Sequence, residues 1–430
     1  MFHFHFPIHF PIRFWQLCRA QAVQFSLAVV VTSAVAQPAS QPPASTPTLK
    51  QALDAAWQVS SQSRSLDNRR SELAAKEKAA NSWISGEPVA GIAHRTDRLN
   101  RNEGFREYEA EIELPLWNPG VRNAAQADVA AQRQGFDGQF ALAKLKLAGE
   151  LRLLAASTAT AQVELDLNKR KLLEANALSQ DVSRRVKAGE NARVDGLQAQ
   201  VLVQQAQAAM AQAESQLARV QNQWRSLTGL TTVAPLDETL ANNAANEALD
   251  TPVPPDHPAL RYAQAQLGSA QAKLGLADAD KRDPMSVGVG VARERANFAG
   301  ANETKLRIAL RIPLGGDNRN APRRAAARAE LDTAQAELDT VQRQLPAEAA
   351  ASTLDLRAAR AAQAAAGERV RLSTEVQTLI TQSWRLGNSD LPTRLRADNE
   401  QFEARLSLAR ANVDVQRAIA NLNQAQGQMP

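Results

Sequence analysis

Residues 106–120 read REYEAEIELPLWNPG, and residues 304–320 read TKLRIALRIPLGGDNRN. In the first stretch Tyr108, Ala110, Ile112 and Leu114 alternate with Glu107, Glu109, Glu111 and Glu113. In the second, Leu306, Ile308, Leu310 and Ile312 alternate with Lys305, Arg307, Ala309 and Arg311. A period of two puts the apolar residues on one face of a strand and the charges on the other. The first strand therefore has an acidic polar face and the second a basic one. Each run is about ten residues long, the length that crosses a bilayer as a tilted strand. Alternation alone fits two hairpins on a soluble domain equally well.

Each strand has a partner upstream. Val89 to His94 precedes the first; Met285, Val287, Val289 and Val291, alternating with Ser286, Gly288, Gly290 and Ala292, precede the second. The polar segments 95–104 and 295–302 suit surface turns between partners. Expected strand bounds are 87–97, 106–116, 284–295 and 303–314.

The two stretches are copies. Pro115 and Pro313 lie 198 residues apart, and so do Gly189 and Gly387, Leu197 and Leu395, Arg219 and Arg417, and Gly229 and Gly427. One offset held from a strand end to a helix end means one structural unit repeated. The repeats are expected at 49–230 and 257–430. A Pro-rich connector at 231–256, with Pro252, Pro254 and Pro255, joins them.

Past each strand the pattern becomes helical. Asn118-Pro119 reads as an N-cap followed by proline at the first helical position. From there to Val186 stretch about 68 residues of helix, roughly 100 Å long. The matching helix is expected from about Ala321 to Leu386, with Pro322 in its first turn and a kink at Pro346. Each turns at Gly189 or Gly387 and returns as a helix of about 36 residues. Shorter helices at Lys50 to Ser85 and Pro258 to Arg282 would extend the returning ones end to end beside the long helix. The returning helices carry a heptad seam, Ala206, Met210, Ala213, Leu217, Val220 and Trp224, repeated as Ala404, Leu408, Ala411, Val415, Ala418 and Leu422.

Residues 1–36 have the outline of a signal peptide: Arg13 and Arg19, the apolar run Phe25 to Val31, and Ala34-Val35-Ala36 before Gln37. The apolar run is too short to span a bilayer. A loose Pro-rich N-terminus follows at 37–48. The only cysteine, Cys18, lies before the cleavage site. Its flank Trp15-Gln16-Leu17 lacks the small residues a lipidation site needs. The mature chain then has no thiol, disulfide or Fe–S chemistry. His94 and His257 are its only histidines, and both read as solvated surface residues without partners for a zinc or catalytic site. No metal, cofactor or catalytic set is expected, and no Walker-type loop is present.

Aromatics are only 4% of 430 residues, too few for a large conventional core. The net charge of +5 falls to +3, 48 basic against 45 acidic residues, without Arg13 and Arg19. So little excess argues against nucleic acid. Four strands cannot close a barrel, and an open edge in lipid would leave backbone groups unpaired at several kcal/mol each. Strands that span a membrane therefore require oligomerisation, and three chains would supply twelve.

The segments ELPLWNPG (113–120) and RIPLGGDNRN (311–320), each opening a long Ala/Gln-rich helix, resemble the TolC-type outer-membrane efflux factors. The segments RRVKAGENARVDGL (184–197) and SWRLGNSDLPTRL (383–395) are similar to that family's helix-turn-helix tips. The resemblance covers nearly all of the mature chain, twice, and leans towards the heavy-metal cation branch. It implies a mainly α fold with a membrane β-barrel portion. Long coiled-coil helices would form a periplasmic α-barrel, and four strands per chain a twelve-stranded trimeric β-barrel. The implied function is the passive exit duct of a tripartite efflux system in the outer membrane of a Gram-negative bacterium. A periplasmic adaptor and an inner-membrane pump would be its partners, and metal cations or drugs its cargo. The alternative is an exported coiled-coil structural or adaptor-like protein without a pore.

On the duct reading, Glu109, Glu111, Glu113, Lys305, Arg307 and Arg311 line the lumen, and Ile112, Leu114, Val287, Val289, Leu306, Ile308 and Leu310 face lipid. Adaptor docking is expected at Lys187, Ala188 and Gly189 and at an exposed Trp384, Arg385, Leu386 and Gly387. Packing of Trp384 into the inter-helix seam is the other reading of that residue. The family's acidic entrance positions, six and nine after the second tip glycine, hold Thr393 and Arg396 here. Asp195 and Asp390 are the candidate entrance carboxylates instead.

Overall fold

β-branched and small residues alternating with charges build one antiparallel sheet in chain order. It comprises β1 (Val89–Thr96), β2 (Arg106–Leu116), β3 (Met285–Arg295) and β4 (Glu303–Arg311). Seven helices are found among the described residues: α1 (Leu49–Val59), α2 (Ser61–Asn81), α3 (Val121–Lys187), α4 (Arg193–Thr228), α5 (Pro258–Ala279), α6 (Asp317–Arg385) and α7 (Leu391–Ala425). The computed structural model describes residues 46–240, 253–315 and 317–430, leaving aside the side chains of 317–319. The expected signal peptide, Cys18, nearly all of the Pro-rich N-terminus and part of the connector lie outside the described residues.

Helix α3 runs 67 residues and α6 runs 69. The first part of α3 packs against α2 and α5, and its later part against α4 and α7. In the tip half the spatial order is α4-α3-α7-α6; in the half nearer the sheet it is α2-α3-α5-α6. The short helices thus continue the returning ones, as their lengths suggest. The seam is used as its spacing demands: Ala206, Ala213, Leu217, Val220 and Trp224 are buried, and so are Ala404, Ala411, Val415, Ala418 and Leu422. Leu217 and Val220 close on Ala161 and Leu165 of α3. Each such Leu or Val contributes about 1.5–3 kcal/mol by leaving water.

Several local expectations are corrected. Asn118 does not cap α3. Gly120, with φ of 82°, precedes Val121 as the cap, and the Asn118 amide instead donates to the carbonyls of Arg282 and Asp283, both at 3.0 Å. Its amide ties the root of the first long helix to the lead-in of β3, and a cap-like dipeptide gives no hint of that. The N-terminal helix is not continuous. Ser60, extended at ψ of 136°, ends α1 and caps α2 through Gln62 N–H. Helix α5 stops at Ala279, short of Arg282. Helix α6 begins at Asp317, so Pro322 lies inside it, and it continues through Pro346. β1 is confined to Val89–Thr96 and β4 ends at Arg311, leaving Ile312 outside the ladder.

Midway along α3 sits a polar clasp. Arg152, 3% exposed, donates from Nε to both Glu238 carboxylate oxygens at 3.0 Å. Its Nη1 reaches Gln424 Oε1 at 2.5 Å and its Nη2 the Gln428 carbonyl at 3.1 Å. Asn423 donates to Glu238 and to the Thr239 carbonyl. The start of the connector is therefore fastened to α3 and to the end of α7 at once. Beside it α1 packs Leu49, Ala52, Leu53 and Ala56 against Leu147, Leu151 and Trp224.

Candidate pore wall and helix tips

The register fixes the two faces of the sheet. Glu109 lies opposite Ala93 on β1 and Ala292 on β3, and Ala292 lies opposite Lys305 on β4. Glu111 lies opposite Gly91 and Gly290, and Gly290 opposite Arg307. One face therefore gathers Glu107, Glu109, Glu111, Glu113, Lys305 and Arg307. The other gathers Ile92, Ile112, Val289, Val291, Leu306 and Ile308, all exposed in the single chain, Ile308 at 72%. Leu114, Val287 and Leu310 share that apolar face. Apart from Arg106, Arg293 and Arg295 at the hairpin end, the lysine, arginine and glutamate side chains are thus collected on the face opposite the large apolar ones.

The charged face is internally paired. Arg307 Nη1 meets Glu109 Oε1 at 2.5 Å, Arg311 bonds Glu113, Lys305 bonds Glu294, and Arg95 meets Glu107 at 3.3 Å. The β2–β4 pairs must cross β3, and its glycines leave the room. A Cβ at Gly288 would lie 2.4 Å from Glu111 Oε1, and one at Gly290 would lie 3.0 Å from the Ala110 carbonyl oxygen. The alternating Ser-Val-Gly-Val-Gly of β3 signalled a strand; that its glycines form a trough for crossing ion pairs follows only once β3 sits between β2 and β4.

Aromatic residues mark both ends of the apolar band. His94 stacks on Tyr108 with centroids 4.4 Å apart towards the hairpin loops. At the helix-bearing end Trp117 Nε1 donates to the Ser82 carbonyl at 2.9 Å, and Trp83 is exposed. From Tyr108 to Trp117 is about 30 Å of strand, or about 23 Å of depth at a 40° tilt, close to the apolar band of a membrane barrel. Sequence reasoning missed these rings, although Trp and Tyr near strand ends are the available signal. No helix among the described residues is long and apolar enough to cross a membrane.

The tips are closed by the same device twice. Gly189 and Gly387 both take φ of 77°. Glu190 N–H bonds the Arg185 carbonyl, and Asn388 N–H bonds the Ser383 carbonyl, each at 2.9 Å. This is the left-handed closure that glycine permits after a helix. Lys187, Ala188, Arg385 and Leu386 are exposed, Leu386 at 76%.

Trp384 is not on that surface. It is 3% exposed and packs with Leu178 and Val182 of α3, Ala199 of α4 and Leu391 of α7. Arg185 and Arg394 lie 5.1 and 5.9 Å from its ring. An indole beside a protruding turn supports either docking or inter-helix packing, and packing wins because the first repeat's tip offers an apolar slot. Asp195 stands in the first turn of α4 and accepts from Asn191 at 2.9 Å. Asp390 caps α7 by accepting from Thr393 N–H at 3.1 Å. The Thr393 hydroxyl and N–H hold the Asp390 carboxyl below the usual aspartate range.

The histidines divide. His94 is exposed on β1, whereas His257 is buried, contrary to the surface reading. Its Nδ1 accepts from Ala259 N–H at 3.1 Å as the N-cap of α5, with its ring against Gly427. Burial pushes the imidazole below its ordinary pKa, with Asp256 and the Ala425 backbone pulling the other way. No three or more His, Cys, Asp or Glu side chains are grouped to hold a metal among the described residues.

The family model described as outer membrane efflux protein matches residues 256–428. No curated protein matches the chain in sequence. Among solved structures, the outer membrane protein VceC from Vibrio cholerae shares 14% identity with a TM-score of 0.71, covering 89% of this chain and 96% of its own. A membrane protein from Pseudomonas aeruginosa shares 18% identity, TM-score 0.70, over 89% and 90%. The MtrE outer membrane channel of Neisseria gonorrhoeae shares 16%, TM-score 0.68, over 89% of both. The family model lies on the second repeat, and the TolC-type fold extends over both. Residues 256–428 thus match the outer membrane efflux protein model, and the chain as a whole shares the fold of these solved outer-membrane proteins.

Proposed function

We propose that three copies of this chain form a passive duct across the outer membrane and the periplasm. One observation carries the reading: the protomer is open along two edges, and both edges are unsatisfied from end to end. In the sheet the open strands are β1 and β4. In the tip half the outermost helices are α4 and α6. Helix α4 exposes Val194, Leu197 and Val201, and α6 exposes Leu372, Val376 and Leu379, each a stripe at helical spacing. Closing β4 of one copy on β1 of the next brings α6 against α4 and α2 of that neighbour. Such head-to-tail contact generates a ring. A closed twelve-stranded ring satisfies every strand edge in lipid.

In this duct the face of Glu109, Glu111, Glu113, Lys305, Arg307 and Arg311 lines the lumen. Both hairpin loops leave one end of the sheet and all helices leave the other, so the helices enter the periplasm. The exposed turns at Lys187–Gly189 and Arg385–Gly387 form the far end and are where a periplasmic adaptor coupled to an inner-membrane pump would engage. Asp195 and Asp390 stand next to these turns as the entrance carboxylates. The pump supplies the energy and selects the cargo. A soluble coiled-coil spacer would have no use for a sheet whose one face is apolar from edge to edge.

The test is the native mass and membrane fraction of the detergent-extracted protein. A trimer in the outer membrane is expected. A monomer released by osmotic shock overturns the duct. Val194→Asp combined with Leu197→Asp should lower trimer yield, whereas Leu386→Asp should spare the trimer and abolish adaptor crosslinking.

A further inference from the structure

We infer that Glu111 sets a cation preference in the barrel segment of the pore, because it is the mid-wall carboxylate that has no cation of its own and only shares Arg311 with Glu113. The inference rests on the trimeric barrel reading and asks what that wall does to ions.

The β2–β4 pairs follow one rule. Arg307 bonds Glu109 and Arg311 bonds Glu113, and in both cases the partners are 198 residues apart. Each arginine reaches diagonally across β3, one alternation step beyond its direct register partner: Arg307 lies level with Glu111, and Arg311 level with Pro115. By the same diagonal, the partner of Glu111 would be residue 309. That residue is alanine.

Glu111 shows the consequence. Its Oε1 is buried and accepts no hydrogen bond. The nearest cation, Arg311, is 3.6 Å away and already engaged by Glu113. Gly91 and Gly290 flank it on both neighbouring strands, so no side chain can replace the missing base. Across the mid-wall, Glu109, Glu111 and Glu113 face Arg307 and Arg311, a surplus of one negative charge per chain. In a trimer three such charges lie at one height in a low-dielectric wall, which raises the local concentration of cations over anions.

Purified protein in planar lipid bilayers under a KCl gradient reads this directly. At about 0.01 M salt the screening length is about 30 Å, and at about 1 M only about 3 Å. Wild type is expected to favour potassium over chloride at low salt. Glu111→Gln should lower that ratio, and Ala309→Arg, which restores the missing diagonal partner, should lower it as far or further without removing any carboxylate. Both differences should shrink at about 1 M. Conducting channels whose ratio is the same in wild type and both variants overturn the role of Glu111 and leave the duct standing. If wild type forms no channels, the barrel reading falls, and this inference with it.

Discussion

β2 and β4 occupy the same place in two copies of one unit, with the same backbone and opposite charge. Glu107, Glu109 and Glu113 stand where Lys305, Arg307 and Arg311 stand 198 residues later. Four glutamates on one strand repel one another, and so do three bases. Placed on either side of a glycine-lined strand, the rows offset each other except at Glu111, whose counterpart is Ala309. The duplicated unit thus kept one face apolar, as the duct reading requires of two copies that would meet the same lipid, and diverged on the polar face, where the copies meet each other.

Variants that confuse the two faces should have the largest effect. Ile308→Arg places a cation on the apolar side at about 2–4 kcal/mol in each of three chains, and no trimer should appear on semi-native gels. Arg307→Gln, one residue away on the other face, should assemble normally. Equal assembly of the two would mean that the faces are assigned backwards.

A second contrast between repeats lies at the clasp, since Arg152 corresponds to Ala350 in the second copy. Arg152→Met leaves the largely covered Glu238 carboxylate without its cation, with only the Asn423 amide still donating to it, at up to about 3–5 kcal/mol. The double variant with Glu238→Met should recover most of that loss, read as resistance of the connector to limited proteolysis. A single variant as resistant as wild type would reduce the clasp to decoration.

Filling the trough is expected to cost less. Gly288→Val must displace the Glu111 carboxylate that lies over it, at about 1–3 kcal/mol, and should lower trimer melting while sparing insertion. Gly91→Ala, with nothing within 4 Å of the added carbon, is the control on the neighbouring strand.

The smallest effect is on pH dependence. His257 is neutral when folded and titrates more easily when unfolded. Its contribution is complete above the unfolded histidine pKa of about 6.5 and is lost as pH falls below it. Melting should therefore drop between about pH 7.5 and pH 5. His257→Asn keeps a capping acceptor without titrating in that range, and should remove part of the drop. An unchanged profile in that variant would assign the acid sensitivity elsewhere.

The strands, the repeat and the turns were legible because they rest on local rules: alternation for β2 and β4, spacing for the Ala206–Trp224 seam, and left-handed glycine at Gly189 and Gly387. What sequence could not give depends on which segment lies next to which. Asn118 resembles a cap until the lead-in to β3 offers it two carbonyls. Trp384 resembles a surface anchor until the first repeat's tip opens a slot for it, and Gly288 resembles weak strand material until ion pairs have to cross it. His257 resembles a surface residue until α7 comes back over it.

The clasp at Arg152 also stands at the base of a long arm. It sits about 35 residues before Lys187, which is about 52 Å along α3. A rocking of about 5° at the clasp displaces the far turn by about 4–5 Å on that arm. Trp384 packs the second repeat's turn against the first, so under such a rocking both turns of a chain would move together. A displacement too small to disturb packing at the pivot is multiplied to the width of a side chain at the end that a partner would hold.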